Sequence, residues 1–162
     1  MNLEKIIKIE LINGPNLNML GYRDQGIYGQ DSYEELIKKI KAYALKKSKE
    51  YHIKVLIKEF QANEEGALIT KIQNLVINND SDALIINPGA YAHYAIGIRD
   101  ALELYGHIKV EVHLSDIKHR ETFRKISLTQ EVCDTMFYGQ HIFSYYQAID
   151  YIINKVMNND EN

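Results

Sequence analysis

Apolar positions along this chain change period repeatedly, and each change marks an element. Ile6 to Ile12 is a short apolar-rich run, interrupted by Lys8 and Glu10, that reads as a first strand. The stretch Ile12 to Gly29, INGPNLNMLGYRDQGIYG, is rich in Asn and Gly and reads as a loop rather than a helix or long strand. Asp31 or Ser32 caps a helix, with Ser32 and Glu35 spaced as a capping box. Leu36, Ile37, Ile40, Tyr43 and Ala44 then form one helical face. Ile53, Val55 and Ile57 alternate with polar residues as a second strand, and Asn63 to Asn79 reads as a second helix. Ala83 to Ile86 is continuously apolar, as a central parallel strand buried on both faces should be. It ends in Asn87-Pro88-Gly89, and a third helix is expected from about Tyr91 to Tyr105. Ile108, Val110, Val112 and Leu114 alternate in a fourth strand, and Val132 to Tyr138 makes a fifth. Ile142, Tyr146, Ile149, Ile153 and Val156 mark a last helix.

This order predicts a single α/β domain over residues 1–157, with the polar residues 158–162 as a disordered tail. Its expected core is a doubly wound, five-stranded parallel sheet of flavodoxin-like order 2-1-3-4-5. The 162 residues suffice for one domain with a proper core. A net charge of -3 gives no reason to expect nucleic acid or an anionic membrane. The lone cysteine, Cys133, excludes an internal disulfide and fits a reducing cytoplasm. No signal-peptide pattern opens the sequence, and no apolar stretch approaches the ~20 residues of a membrane span.

Sheets of this kind bind ligands beyond the carboxyl ends of their strands. The opening loop brings Asn13, Asn16, Arg23 and Tyr28 to that rim. Strand three brings Asn87, and His93 follows it. Strand four carries Glu111, His113 and Ser115 on one face by its period of two, with Arg120 and Arg124 beyond. No spacing suits a metal site, no GxSxG elbow is present, and the glycines of the opening loop match no phosphate loop. Taken singly, each residue has an ordinary alternative. A loop tyrosine usually packs, a histidine near a strand end is usually structural, asparagines form turns, and paired arginines line solvated faces. Their convergence on one rim points to an anion site. The residues themselves leave two readings open: a cofactor-free acid–base enzyme, or a non-catalytic flavodoxin-like module that binds a nucleotide or flavin.

Four blocks extend the reading. INGPNLNMLGYRDQGIYG, FQANEEGALITKIQ, INPGAYAHYAIGIRDAL and VEVHLSDIKHRETFR resemble the signature blocks of the type II 3-dehydroquinate dehydratases, in that family's order and spacing. The resemblance spans about residues 7 to 153. It implies a flavodoxin-like hydro-lyase of the shikimate pathway, without metal or cofactor. Such an enzyme removes water from 3-dehydroquinate to give 3-dehydroshikimate by anti elimination through an enolate.

By motif position the resemblance makes Tyr28 the base and His113 the general acid. Free tyrosine ionises near ~10, so a base at neutral pH needs about 4 kcal/mol of preference for phenolate. The resemblance assigns Arg23 and Arg120 beside that tyrosine, and Asn16 to the enolate through a bound water. Asn87 matches the residue at the C1 hydroxyl, and Leu114 and Ser115 match the pair that takes the carboxylate. His93 and Arg124 match the residues on the ring hydroxyls. Glu111 is the expected partner that keeps His113 protonated. Asp100 matches a residue that reaches a neighbouring subunit's site, which implies a dodecamer built of trimers. Gly21 to Gly29 is expected to act as a hinged lid. The chain departs from the family at Asp116, Lys118 and His119, at Glu64, and in the bulky block around Phe143, Tyr145 and Tyr146. Asp116 adds a negative charge beside the expected carboxylate site.

Overall fold

The computed structural model describes residues 5–159. Five strands, β1 (Ile6–Asn13), β2 (Lys54–Gln61), β3 (Ala83–Asn87), β4 (Ile108–His113) and β5 (Thr135–Tyr138), form one parallel sheet in the order β2-β1-β3-β4-β5. The helices are α1 (Gln25–Tyr28), α2 (Tyr33–Tyr51), α3 (Glu65–Asn78), α4 (Ile96–Leu104) and α5 (Ile142–Asn159). This is the expected doubly wound order. Alternation in β1 divides the core: Ile7, Ile9 and Leu11 join α2 and α5 on one face, while Ile12 joins α3 and α4 on the other. Glu10 lies buried on the α3 side, where Lys71 Nζ stands 2.9 Å from its carboxylate.

The capping box is present. Glu35 N–H donates to Ser32 Oγ at 3.2 Å, and Ser32 N–H donates to Glu35 Oε2 at 2.8 Å. Three expectations need correction. The opening loop contains a one-turn helix, α1, because Asp24 Oδ1 accepts from the N–H groups of both Gly26 and Ile27. The third helix is not continuous. Gly89–His93 is a tight 3₁₀ turn, and α4 starts only at Ile96. The Ala92 carbonyl, which a continuous helix would give to Ile96, accepts instead from Leu128 N–H at 2.8 Å. β5 begins three residues late, since Thr129–Val132 winds into another 3₁₀ turn. At the end of the chain α5 continues to Asn159, two residues into the expected tail, and the rest of that tail lies outside the described residues.

β1 and β3 are neighbours, and their connections leave on opposite faces of the sheet. Asn13 and Asn87 face each other in register at the two strand ends. Gly14 N–H donates to the Asn87 carbonyl at 2.7 Å, and a Cβ on Gly14 would stand 2.6 Å from the Pro88 oxygen. Only glycine permits this contact, which sets the opening loop against the end of β3.

Candidate active site

A cleft opens where β1, β3 and β4 end. Ten of the residues expected from sequence line it: Asn16, Arg23, Tyr28, Asn87, His93, His113, Leu114, Ser115, Arg120 and Arg124. Glu111 lies immediately behind His113. Asp100 does not reach this cleft; it is exposed on α4, 3.5 Å from Arg99.

Two hydrogen-bonded clusters line the space. The first is built on Tyr28, at the end of α1. Arg120 Nη1 donates to Tyr28 Oη at 2.8 Å and lies 3.3 Å from Ser115 Oγ. The Arg23 guanidinium carbon stands 3.6 Å over the centroid of the same ring. Burial pulls the Arg23 guanidinium below its ordinary value, with Arg120 and Arg124 acting the same way and Tyr28 opposing them. Arginine remains a cation through such a shift. Arg124 Nε bonds Glu121 at 3.0 Å, and Arg120 Nε lies 3.5 Å from the same carboxylate. Three guanidinium groups lining the cleft give it a strong preference for anions.

The second cluster is built on β4. His113 Nε2 lies 2.6 Å from Glu111 Oε1, with the carboxylate fully buried. Ser127 Oγ donates to the same oxygen at 2.6 Å, and Thr129 Oγ1 donates to Glu111 Oε2 at 2.6 Å. Both Glu111 oxygens are therefore satisfied as acceptors, the arrangement an ionised carboxylate needs in a dry interior. The carboxylate fixes the hydrogen on His113 Nε2 and leaves Nδ1 for the other side of the ring. His93 stacks beside it, with ring centroids 6.5 Å apart. His93 Nδ1 donates to the Ile126 carbonyl at 2.7 Å. Burial lowers its pKa below 6.5 despite that bond, and the His113 and Arg124 charges act in the same direction.

Asn16 holds a left-handed backbone, φ 66°, and its N–H donates to Asn63 Oδ1 at 3.0 Å. Gln61 Nε2 ties Asn63 Oδ1 and the Gly14 carbonyl together at 3.2 and 3.1 Å. Asp116 turns away from the cleft and accepts from His119 Nδ1 at 2.8 Å, so its charge is paired outside. Cys133 also lies off the cleft, and burial pushes its thiol well above the ordinary value, leaving it inert. Among the described residues no group of three or more His, Cys, Asp or Glu could hold a metal ion.

Sequence reasoning missed Ser127, Thr129 and Asn63. Their only signals were an i, i+2 pair of hydroxyls in a stretch read as loop and a polar pair, Gln61 and Asn63, after β2.

The model of the family "Dehydroquinase class II" matches residues 7–153. The chain belongs to that family. The 3-dehydroquinate dehydratase of Thermotoga maritima is 45% identical over 150 residues, covering 93% of this chain and 97% of the relative. The 3-dehydroquinate dehydratase of Lachnospira eligens is 42% identical over 152 residues, covering 93% and 99%. A type II dehydroquinase structure from Butyrivibrio crossotus superposes with a TM-score of 0.83 at 44% identity, over 90% of this chain and 97% of that one. One from Propionibacterium acnes gives 0.80 at 29% identity, over 93% and 98%. This dehydroquinase-family chain is accordingly an enzyme of the hydro-lyase class, and the alternative of a non-catalytic binding module falls away. Among the described residues no helix is long and apolar enough to cross a membrane.

Proposed function

We propose that this enzyme dehydrates 3-dehydroquinate to 3-dehydroshikimate, with Tyr28 as base and His113 as general acid. The observation that carries the reading is the pairing of a cation-flanked phenol with a carboxylate-backed imidazole in one cleft. Arg120 and Arg23 stabilise phenolate at Tyr28, which takes the proton next to the ketone. The electrons move onto the ketone oxygen as an enolate, held through a water on Asn16. Collapse of the enolate forms the ring double bond and breaks the C1–oxygen bond. His113 gives a proton to the departing oxygen, so water leaves rather than hydroxide. Glu111, 2.6 Å away, orients that imidazole for the transfer. Asn87 holds the C1 hydroxyl, and Leu114 with Ser115 takes the carboxylate. His93 and Arg124 take the ring hydroxyls.

Gly21 and Gly29, at the two ends of the Arg23–Tyr28 segment, have φ of 95° and 90°. That freedom supports a lid closing over the substrate. Asp100, exposed beside the apolar Ile96 and Leu104 on α4, suits contact with another subunit in a trimer-based dodecamer of the cytoplasm.

The test is direct. Protein mixed with 3-dehydroquinate should produce a conjugated enone, followed by ultraviolet absorbance. Tyr28→Phe should abolish turnover while still binding substrate. A folded native protein without turnover at any pH refutes the reaction, and a working Tyr28→Phe refutes the base. Light scattering on the same preparation should give a mass well above one chain.

A further inference from the structure

The Asn87 amide is one link in a run of hydrogen bonds crossing the sheet end from β3 to β2. Gly89 N–H donates to Asn87 Oδ1 at 3.1 Å, and Asn87 Nδ2 donates to Tyr145 Oη at 2.9 Å. Tyr145 Oη donates to Asn13 Oδ1 at 2.7 Å. Asn13 Nδ2 donates to Tyr33 Oη at 3.4 Å, and Tyr33 Oη donates to Glu59 Oε2 at 2.9 Å. Tyr145, on α5, and Asn13 are fully buried, whereas Glu59 is exposed at the outer strand.

The two ends of this run dictate its direction. A backbone N–H can only donate, and an ionised carboxylate can only accept. Between them each asparagine accepts on one side and donates on the other, and each tyrosine does the same. One arrangement of hydrogens satisfies every link. Turning either amide over would set like groups face to face and leave a buried polar group unpaired. Burial holds the Tyr33 and Tyr145 hydroxyls well above their ordinary value, so both remain O–H donors across any assay range.

We propose that Tyr145 and Asn13 are positioning residues that lock the orientation of the Asn87 amide. The lock turns its second Nδ2 hydrogen to the cleft, where it meets an oxygen acceptor of the substrate. Tyr33 and Glu59 set the polarity from the surface end. This rests on the reading of the cleft as the 3-dehydroquinate site. Under it, Asn87 donates to the C1 hydroxyl oxygen and directs that oxygen's remaining lone pair toward His113. A bulky aromatic in the last helix thereby serves the chemistry without touching the substrate.

A double-mutant cycle tests the lock. Tyr145→Phe removes only the hydroxyl. It should lower kcat/KM about tenfold in the native background but less than about twofold when Asn87 is already alanine. Equal losses in the two backgrounds, or native kinetics in a folded Tyr145→Phe protein, would overturn the proposal. If Tyr145→Phe does not fold, Tyr33→Phe at the outer end takes its place. Its loss should be smaller and should also vanish beside Asn87→Ala, and an additive loss overturns the proposal equally. Proton exchange of the Asn87 side-chain amide, followed by NMR without ligand, separates the lock from the substrate assignment. Protection of at least about tenfold relative to an exposed asparagine, lost in the tyrosine variant used, supports the lock even if 3-dehydroquinate proves not to be the substrate. Exchange as fast as at an exposed asparagine overturns it, even in a fully active dehydratase.

Discussion

Replacing Arg120 by methionine tests how the phenol is made basic. Methionine keeps much of the side-chain volume and removes both the charge and the 2.8 Å bond to Tyr28 Oη. A hydrogen bond to a charged partner is worth about 1.5–3 kcal/mol, so its loss should slow proton abstraction by a factor of about 10 to 150. Arg23 offsets only part of the loss: its guanidinium carbon lies 3.6 Å over the ring centroid, and it already interacts with the Tyr28 side chain in the native protein. A cation over an aromatic face contributes about 0.5–2 kcal/mol, a smaller interaction directed at the ring. Dehydration by Arg120→Met, followed as enone absorbance, should therefore fall by that factor in kcat at neutral pH. Arg120 also stands near Ser115, so part of the effect will appear in KM, and kcat must be separated from it. A folded variant with kcat within about twofold of native would refute the electrostatic account.

Two further predictions concern the histidine side. Ser127→Ala with Thr129→Val strips Glu111 of both hydroxyl donors, each a charged hydrogen bond worth about 1.5–3 kcal/mol. Dehydration should fall at least about tenfold while exchange of the α-proton with solvent, the half-reaction proposed for Tyr28, continues; loss of both in a folded protein would contradict the separation of roles. His93 is held neutral mainly by burial, so the unfolded chain takes up its proton first as pH falls below 6.5. Stability present above that value should decline on acidification until the folded imidazole also protonates. The melting temperature of His93→Gln should decline less than that of the native protein over the same interval, and parallel declines would refute this.

Most of the fold was legible because each element carries its own period. The continuous apolar Ala83 to Ile86 could only be a central strand, and its place beside β1 then followed from the doubly wound order. Glu111 and His113 could be paired from the alternation of β4 alone. What escaped was set by contacts between segments distant in sequence. The third helix broke because Leu128 takes the Ala92 carbonyl, and no local propensity at Tyr94 or Ala95 announces that.

The same limit explains which parts of the site were invisible. Arg23 and Tyr28 sit in one short motif, whereas Ser127, Thr129 and Tyr145 matter only through what tertiary folding sets against them. A serine hydroxyl in a loop or a tyrosine on a helix's apolar face has no signature until a buried acceptor lies opposite. In this protein both supports arrive from chain that follows the residues they serve: Ser127 and Thr129 close on Glu111, and α5 closes on Asn87. The groups that line the cleft therefore depend on late segments for their hydrogen-bonded support. Damage at Ser127 or Tyr145 should depress catalysis without altering a single residue that lines the cleft.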